Sequence, residues 1–484
     1  MVDVSLVATA VATLLVAFVL LKVWKGYTAS KAIESKLSKI PLIAGGLPFL
    51  GHILEMLKGP PWDIMSDWVL SKGPIIRFKF FFGNFVAIND HNMIKHVFNT
   101  NFRNYRKDLD TYGPFLCLLG TGLVTSEGDL WKRQRDLISP AFRVEILEDA
   151  TRIAKEASDR LSEKLEKVRG TGEVVEIAEE FRKLTLQVIG EAVLSMTAEE
   201  SNKVFPELYL PIVEEANLRT WYPYRPYLPT RANFRYMRAV YELNSFVTDM
   251  IKRRRAEFLA GDRKDDILDR ILDANKDGKW DNAAIIQLRD EIKTFLFAGH
   301  ETSSTMMTWT LYELTQNPDC LEKAMAEARS LLSDNGDLPA FETCKDGFNY
   351  IVNCEKEALR KYSIVPVVTR VAAADDKIGD YDIPAGTRIA IPIQAVHHDP
   401  ATWPNPDSFD PERFTEAYPT YAWLPFIAGP RSCVGQYFSL LETKLVLALL
   451  IHRFKFTPAP GNVGTRHPSM VPVASTDNMR MTID

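Results

Sequence analysis

The stretch Phe426 to Gly435, Phe-Ile-Ala-Gly-Pro-Arg-Ser-Cys-Val-Gly, limits the possible folds of this chain more than any other. It sets one cysteine, Cys433, in a loop shaped by glycines, just ahead of an apolar helical run at Phe438 to Leu450. Gly429 and Gly435 open backbone conformations closed to other residues and leave room for a flat ligand against the main chain. Arg431 adds a fixed positive fork suited to a carboxylate, and Phe426 a flat apolar cover for the sulfur. A buried structural cysteine in a Gly-Pro loop is the alternative reading.

The bulk properties leave few other options. With 484 residues, 46% hydrophobic and 25% charged, the chain is globular, and length alone suggests about three domains. A net charge of −5, from 58 basic and 63 acidic side chains, gives no reason to expect nucleic acid as a partner. The five cysteines, Cys117, Cys320, Cys344, Cys354 and Cys433, are odd in number and include no Cys-x-x-Cys. They indicate neither a disulfide framework nor a zinc knuckle, and a reducing compartment fits best.

Val4 to Leu21 carries no charge and, at about 1.5 Å per residue, nearly crosses a hydrocarbon core. Only Asp3 precedes it, while Lys22, Lys25, Lys31, Lys36 and Lys39 follow, so the positive-inside rule leaves the body of the chain in the cytosol. A cleaved signal peptide is the rival, but the basic start it needs is missing. Residues 1–24 are therefore read as a membrane anchor. Residues 25–51, basic and then rich in proline and glycine, are read as a linker, and residues 52–484 as the body.

Along the body, Ile75 to Asn89 predicts a hairpin broken at Gly83-Asn84, and Asn101 to Gly128 a long loop. Apolar residues three and four apart predict helices at Ile146 to Val168, Val174 to Met196, Ala232 to Ala260 and Asp281 to Thr315. Trp221 to Tyr227 holds four aromatics and two prolines and cannot be a regular helix. Val365 to Ile393 predicts a small sheet, and His397 to Pro430 an irregular packed coil. The fold class is mainly α with small β-sheets (α+β).

Three further constellations carry chemistry. Ala298-Gly299-His300-Glu301-Thr302 lies inside the longest helix, where a glycine and hydroxyl residues weaken the ladder and invite a local groove for a diatomic ligand and a water. Taken alone, such a segment is more often an N-cap or a packing notch. Trp131 and Arg135 share a helix face, and their N–H groups suit a buried carboxylate, although such a pair usually marks a helix lying on a core. Glu357 and Arg360 would ordinarily be a surface ion pair. Pro411-Glu412-Arg413-Phe414 lies downstream of them.

Taken together, the spacing of Phe426, Gly429, Arg431, Cys433 and Gly435 resembles the haem-binding signature of the cytochrome P-450 monooxygenases, eukaryotic microsomal type. The resemblance implies that family's fold behind an N-terminal transmembrane helix. It implies haem b (iron protoporphyrin IX) with the Cys433 thiolate as axial metal ligand. Ala298, Gly299, Trp131, Arg135, Arg370, Phe426, Gly429, Arg431 and Gly435 would lie around the cofactor. Thr302 would deliver protons fed by Glu301, and Glu357, Arg360 and Arg413 would lock the cysteine loop as a structural triad.

The implied reaction inserts one oxygen atom from O2 into a C–H or C=C bond of a lipophilic small molecule such as a fatty acid, sterol or carotenoid. Electrons would come from NADPH through a flavin-containing reductase docking near Lys132, Arg133 and Lys444. The implied location is the endoplasmic reticulum membrane, single-pass, with the catalytic domain facing the cytosol. Two departures stand out: Ser363 replaces a proline frequent after the Glu-x-x-Arg helix, and Ile427 fills a position often taken by glycine. The rivals are a haem-thiolate enzyme that rearranges hydroperoxides and a haem sensor that oxidises nothing.

Overall fold

The computed structural model describes residues 4–142, 144–204, 208–222, 224–276 and 278–484. The chain packs as two compact units, residues 1–108 with 367–396, and residues 109–366 with 397–484.

The first unit opens with helix α1 (Val4–Lys36). Most side chains of residues 1–20, on which the expected anchor falls, lie outside the described ones. Among the described residues no helix is long and apolar enough to cross a membrane. Helix α2 (Pro61–Lys72) begins with proline at its first turn, where the missing N–H costs nothing. The five-stranded sheet comprises β1 (Ile75–Phe80), β2 (Gly83–Ile88), β3 (Tyr105–Lys107), β4 (Val368–Ala372) and β5 (Arg388–Ile391), in the spatial order β1-β2-β5-β4-β3. All its neighbours are antiparallel except β2 and β5.

The hairpin turn falls two residues before the expected break. Phe80 pairs with Gly83, and Phe81 takes φ 48° at the corner. Asn84 is instead a strand residue whose side chain donates to the Ser30 carbonyl at 3.0 Å, tying α1 to the sheet. Ile76, Phe78, Ala87 and Ala390 face Met65 and Val69 of α2 in one apolar cluster.

The second unit is helical. The principal helices are α3 (Gly128–Ile138), α4 (Val144–Glu166), α5 (Ile177–Leu194), α6 (Leu210–Trp221), α7 (Arg231–Leu259), α8 (Asn282–Gln316), α9 (Asn349–Tyr362) and α10 (Gln436–Arg453). The four long helices predicted from periodicity are present, the second preceded by a short strand at Val175–Glu176. That strand joins Phe456–Pro458 and Arg480–Ile483 in a small antiparallel sheet. The supposed long loop contains short helical turns, among them Leu109–Tyr112 and Leu116–Leu119. Regular helix stops at Trp221, and a single tight turn, Arg225–Tyr227, follows. Pro223 and the Trp221 side chain lie outside the described residues.

Asp281 caps α8, its carboxylate accepting from the Ala284 N–H at 2.9 Å. Burial then explains why the helix persists through its hydroxyl-rich centre. Thr302, Thr305, Thr308 and Thr310 each donate back to a carbonyl one turn earlier, so no hydroxyl there competes for a backbone N–H.

Candidate active site

The cysteine loop is held from both sides by its own backbone. The Cys433 N–H donates to the Phe426 carbonyl and the Ile427 N–H to the Leu424 carbonyl, both at 3.0 Å. Gly429 takes φ 73°, so the glycine is required for its conformation. Gly435 differs from expectation: at φ −90° any residue would fit the backbone. What matters there is space, since a Cβ at Gly435 would meet nothing within 4 Å.

Ile427 sits at φ 59°, a left-handed conformation that a β-branched residue rarely adopts. The strain is about 1–2 kcal/mol. After allowing for the extra chain entropy of glycine, Ile427→Gly is expected to stabilise the protein by about 1 kcal/mol. Thermal unfolding checks this, and an unchanged or lower midpoint would mean that the Ile427 side chain earns its strained place through packing.

The Cys433 side chain is exposed. Even so, the protein packed around it desolvates the thiol and pushes its pKa up, opposed by the nearby Gly435 N–H and by the Arg135 charge.

Arg135 donates to the Ser432 carbonyl at 2.8 Å, so α3 is fastened to the residue before the cysteine. Arg431 lies 3.9 Å over the Trp131 ring, donates to the Ser126 carbonyl at 2.9 Å and pairs with Glu127 at 2.8 Å. Trp131, Arg135, Arg431 and Cys433 are thus brought together, with Arg431 partly neutralised by a carboxylate the sequence did not suggest.

The middle of α8 reaches the same loop. Ser303 and Ser439 share a hydrogen bond of 3.1 Å between α8 and α10, and Met306 packs in one cluster with Phe426. In this stretch Ala298, Gly299 and Thr302 are half-buried, while His300, Glu301 and Ser303 are buried. Ala298 and Thr302, one turn apart, are linked by a 2.6 Å bond from the Thr302 hydroxyl to the Ala298 carbonyl.

The expected distortion at Gly299 is absent, for α8 runs unbroken through it. The missing side chain is used for packing: a Cβ there would come within 2.7 Å of Ile189 on α5. Glu301 also turns out differently. It lies 3.3 Å from His300 Nε2 and 3.7 Å from Arg182 of α5. Burial works against its charge, but the His300 hydrogen bond and the charges of His300 and Arg182 outweigh it and hold the carboxyl below the usual range. His300 makes the expected helix bond, its Nδ1–H donating to the Leu296 carbonyl at 2.8 Å, but its other ring nitrogen faces Glu301.

Behind the loop, Glu357 and Arg360 on α9 are fully buried rather than at the surface. Arg360 grips both Glu357 oxygens at 2.7 and 2.8 Å, and Arg413 adds a 3.3 Å contact to the same carboxylate. Arg360 also donates to the carbonyls of His397, Pro406 and Ser408. Together these bonds organise the coil expected from His397 to Pro430.

Arg370 belongs to the first unit, buried on β4. One Nη donates to the Thr369 carbonyl at 2.8 Å, and the other has no hydrogen-bond partner among the described residues. Lys132 and Arg133 are exposed, but Lys444 is buried and donates to the carbonyls of Lys345 and Gly347. It presents no charge for a docking partner.

These residues fit a flat cofactor held by sulfur: an exposed sulfur, a glycine with open space beside it, and a half-buried helix turn next to the same loop. The Cytochrome P450 family profile matches residues 41–475. The chain belongs to the cytochrome P450 family. It is 32% identical over 461 residues to Cytochrome P450 4c21 of Blattella germanica, covering 89% of this chain and 90% of that one. It is 35% identical over 356 residues to a cytokinin hydroxylase of Arabidopsis thaliana, covering 70% and 67%, and 29% identical over 448 residues to Protein LUTEIN DEFICIENT 5, chloroplastic, of the same plant, covering 87% and 73%. Membership makes the chain a haem monooxygenase of the P450 type and brings with it haem on a thiolate ligand.

Ser363 stands out in the sequence only as a replaced proline and His397 not at all, yet together they join the end of α9 to the cysteine loop. The signal available was a paired histidine, His397-His398, opening a coil with no period.

Proposed function

We propose that the chain inserts one oxygen atom from O2 into a C–H or C=C bond of a lipophilic small molecule, with Cys433 as the iron ligand and electrons drawn from NADPH through a flavin reductase. One observation carries the reading: the half-buried Ala298–Thr302 turn of α8 and the Cys433 loop are stitched together by Ser303, Ser439, Met306 and Phe426. A ligand on that sulfur would therefore lie beside the Thr302 hydroxyl. The bound cofactor would supply oxygen activation. The chain's own residues hold it, exclude water and move protons.

Thr302 is the proposed last donor. Its hydroxyl rests on the Ala298 carbonyl and has to turn from it to serve a ligand. Glu301, held by His300 and Arg182, has to leave that pairing to feed it. Trp131, Arg135 and Arg431 would hold the cofactor's carboxylates. For Arg370 the support is the resemblance and an Nη without an acceptor among the described residues.

Residues 52–484 are proposed as one catalytic domain behind an anchor at 1–24 and a linker at 25–51, on the endoplasmic reticulum and facing the cytosol. Exposed apolar side chains support a membrane surface in each unit. In the first, Leu47 and Phe49 at the end of the linker and Leu54 and Leu57 just after it stand out. In the second, Tyr227 and then Phe234, Met237 and Tyr241 of α7 are exposed beside Arg231, Arg235 and Arg238. A lipid such as a fatty acid, sterol or carotenoid is the proposed substrate class.

The test is NADPH- and O2-dependent turnover of a lipid panel by purified protein with its reductase. Product from a hydroperoxide without NADPH would favour the rearranging rival, and haem binding without any turnover the sensor. Thr302→Ala is expected to keep oxygen consumption while cutting the share that ends in product severalfold, and Thr302→Ser to restore most of it. Unchanged coupling in Thr302→Ala would remove Thr302 from proton delivery.

A further inference from the structure

We infer that Ser363 and His397 are positioning residues for the cysteine ligand, acting through a single neutral imidazole tautomer that fixes the start of the loop. The inference rests on the reading of Cys433 as the iron ligand, and its geometry meets the Glu357–Arg360–Arg413 network at one residue, Arg360, whose carbonyl begins the relay and whose guanidinium holds the His397 carbonyl.

Ser363 caps the C-terminus of α9 at φ 43°, where its side chain is buried. Its hydroxyl lies 2.9 Å from His397 Nδ1 and 3.2 Å from the Arg360 carbonyl. His397 is fully buried at the end of the short helix Ile393–His398. Its Nε2 accepts the Leu424 backbone N–H at 2.8 Å.

Donor and acceptor roles follow without freedom. Leu424 N–H can only donate, so Nε2 carries no proton. The one ring proton of neutral histidine is then on Nδ1 and goes to the serine oxygen. That leaves the serine hydrogen for the Arg360 carbonyl.

An imidazolium is excluded by the same geometry, since a proton on Nε2 would face the Leu424 N–H. Burial, with His398 and Arg360 nearby, holds His397 well below its ordinary range, against a smaller pull from the Arg360 carbonyl.

From Leu424 the chain of bonds continues to the Cys433 backbone. The Leu424 carbonyl accepts from Ile427, the residue held at φ 59°, and the Phe426 carbonyl accepts from Cys433. The relay thus runs from the Arg360 carbonyl through Ser363, His397 and Leu424 into a strained turn that sets where the cysteine points. A proline at position 363 would supply no hydroxyl, so this link belongs to the serine.

The experiment compares Ser363→Ala, His397→Ala and the double variant by two readouts. The first is hydrogen exchange at the Leu424 amide, which needs no cofactor. Ser363→Ala leaves Nδ1 without its acceptor, frees the tautomer, and should speed exchange at Leu424 about tenfold. His397→Ala should speed it further, and the double variant should match His397→Ala alone.

The second readout is the reduced, carbon-monoxide-bound spectrum in rising urea. Ser363→Ala should lose the red-shifted thiolate band at lower urea than the parent, before global unfolding. Unchanged Leu424 exchange in Ser363→Ala, or effects of the two single changes that simply add, would overturn the relay. If the parent itself lacks the red-shifted band, the ligand reading fails, while the exchange arm still decides whether the relay exists.

Discussion

Replacing Cys433 with serine is expected to abolish the red-shifted carbon-monoxide band and to lower NADPH-dependent product formation at least about 100-fold, with the fold retained. The exchange alters one atom in a loop whose shape rests on backbone bonds that serine leaves intact. Sulfur, however, is the only soft donor there, and serine oxygen is a poor match for iron in this role. The Gly435 N–H and the Arg135 charge, both of which favour a negative ligand at position 433, would act on serine too, yet an alcohol stays protonated where a thiol gives up its hydrogen. Circular dichroism alongside the spectrum separates loss of ligation from loss of fold. A variant that keeps the band would mean that another residue holds the iron.

Much of this site could be read from sequence because its parts are local. The cysteine signature, the Ala298–Thr302 turn and the Glu357–Arg360 spacing each lie within one turn or loop, and the helices carrying them show an apolar period. What could not be read were consequences of packing between elements. Gly299 looked like a weak point but is filled by Ile189, because a glycine in a helix records a close neighbour as readily as a groove. Glu301 looked like a free acid but meets Arg182, more than a hundred residues earlier in the chain. Lys444 looked like a surface cation, yet its four-carbon stem lies inside and its ammonium serves two helix-end carbonyls. The hairpin turn was misplaced for a similar reason: Asn84, a favoured turn residue, is held in the strand by Ser30.

The same contrast between local pattern and distant partner gives the triad its expected cost. Glu357→Gln should destabilise the protein by about 3–5 kcal/mol, because it removes one member of a desolvated charge group and strands the others. Arg360 is fully buried, and Arg413 would lose its only carboxylate contact in the described structure. Three carbonyls, from His397, Pro406 and Ser408, would still receive Arg360, so the coil should keep its path while losing charge balance. The prediction separates the buried network from an exposed pair, for which the same change would cost well under about 1 kcal/mol. Urea unfolding, followed by circular dichroism and by haem absorbance, should show both midpoints falling together, with haem lost no later than the helices. A shift of less than about 1 kcal/mol, the size expected of an exposed pair, would mean that the network does not depend on the Glu357 charge. In that case Arg360, with its three carbonyls, would hold the loop without a carboxylate.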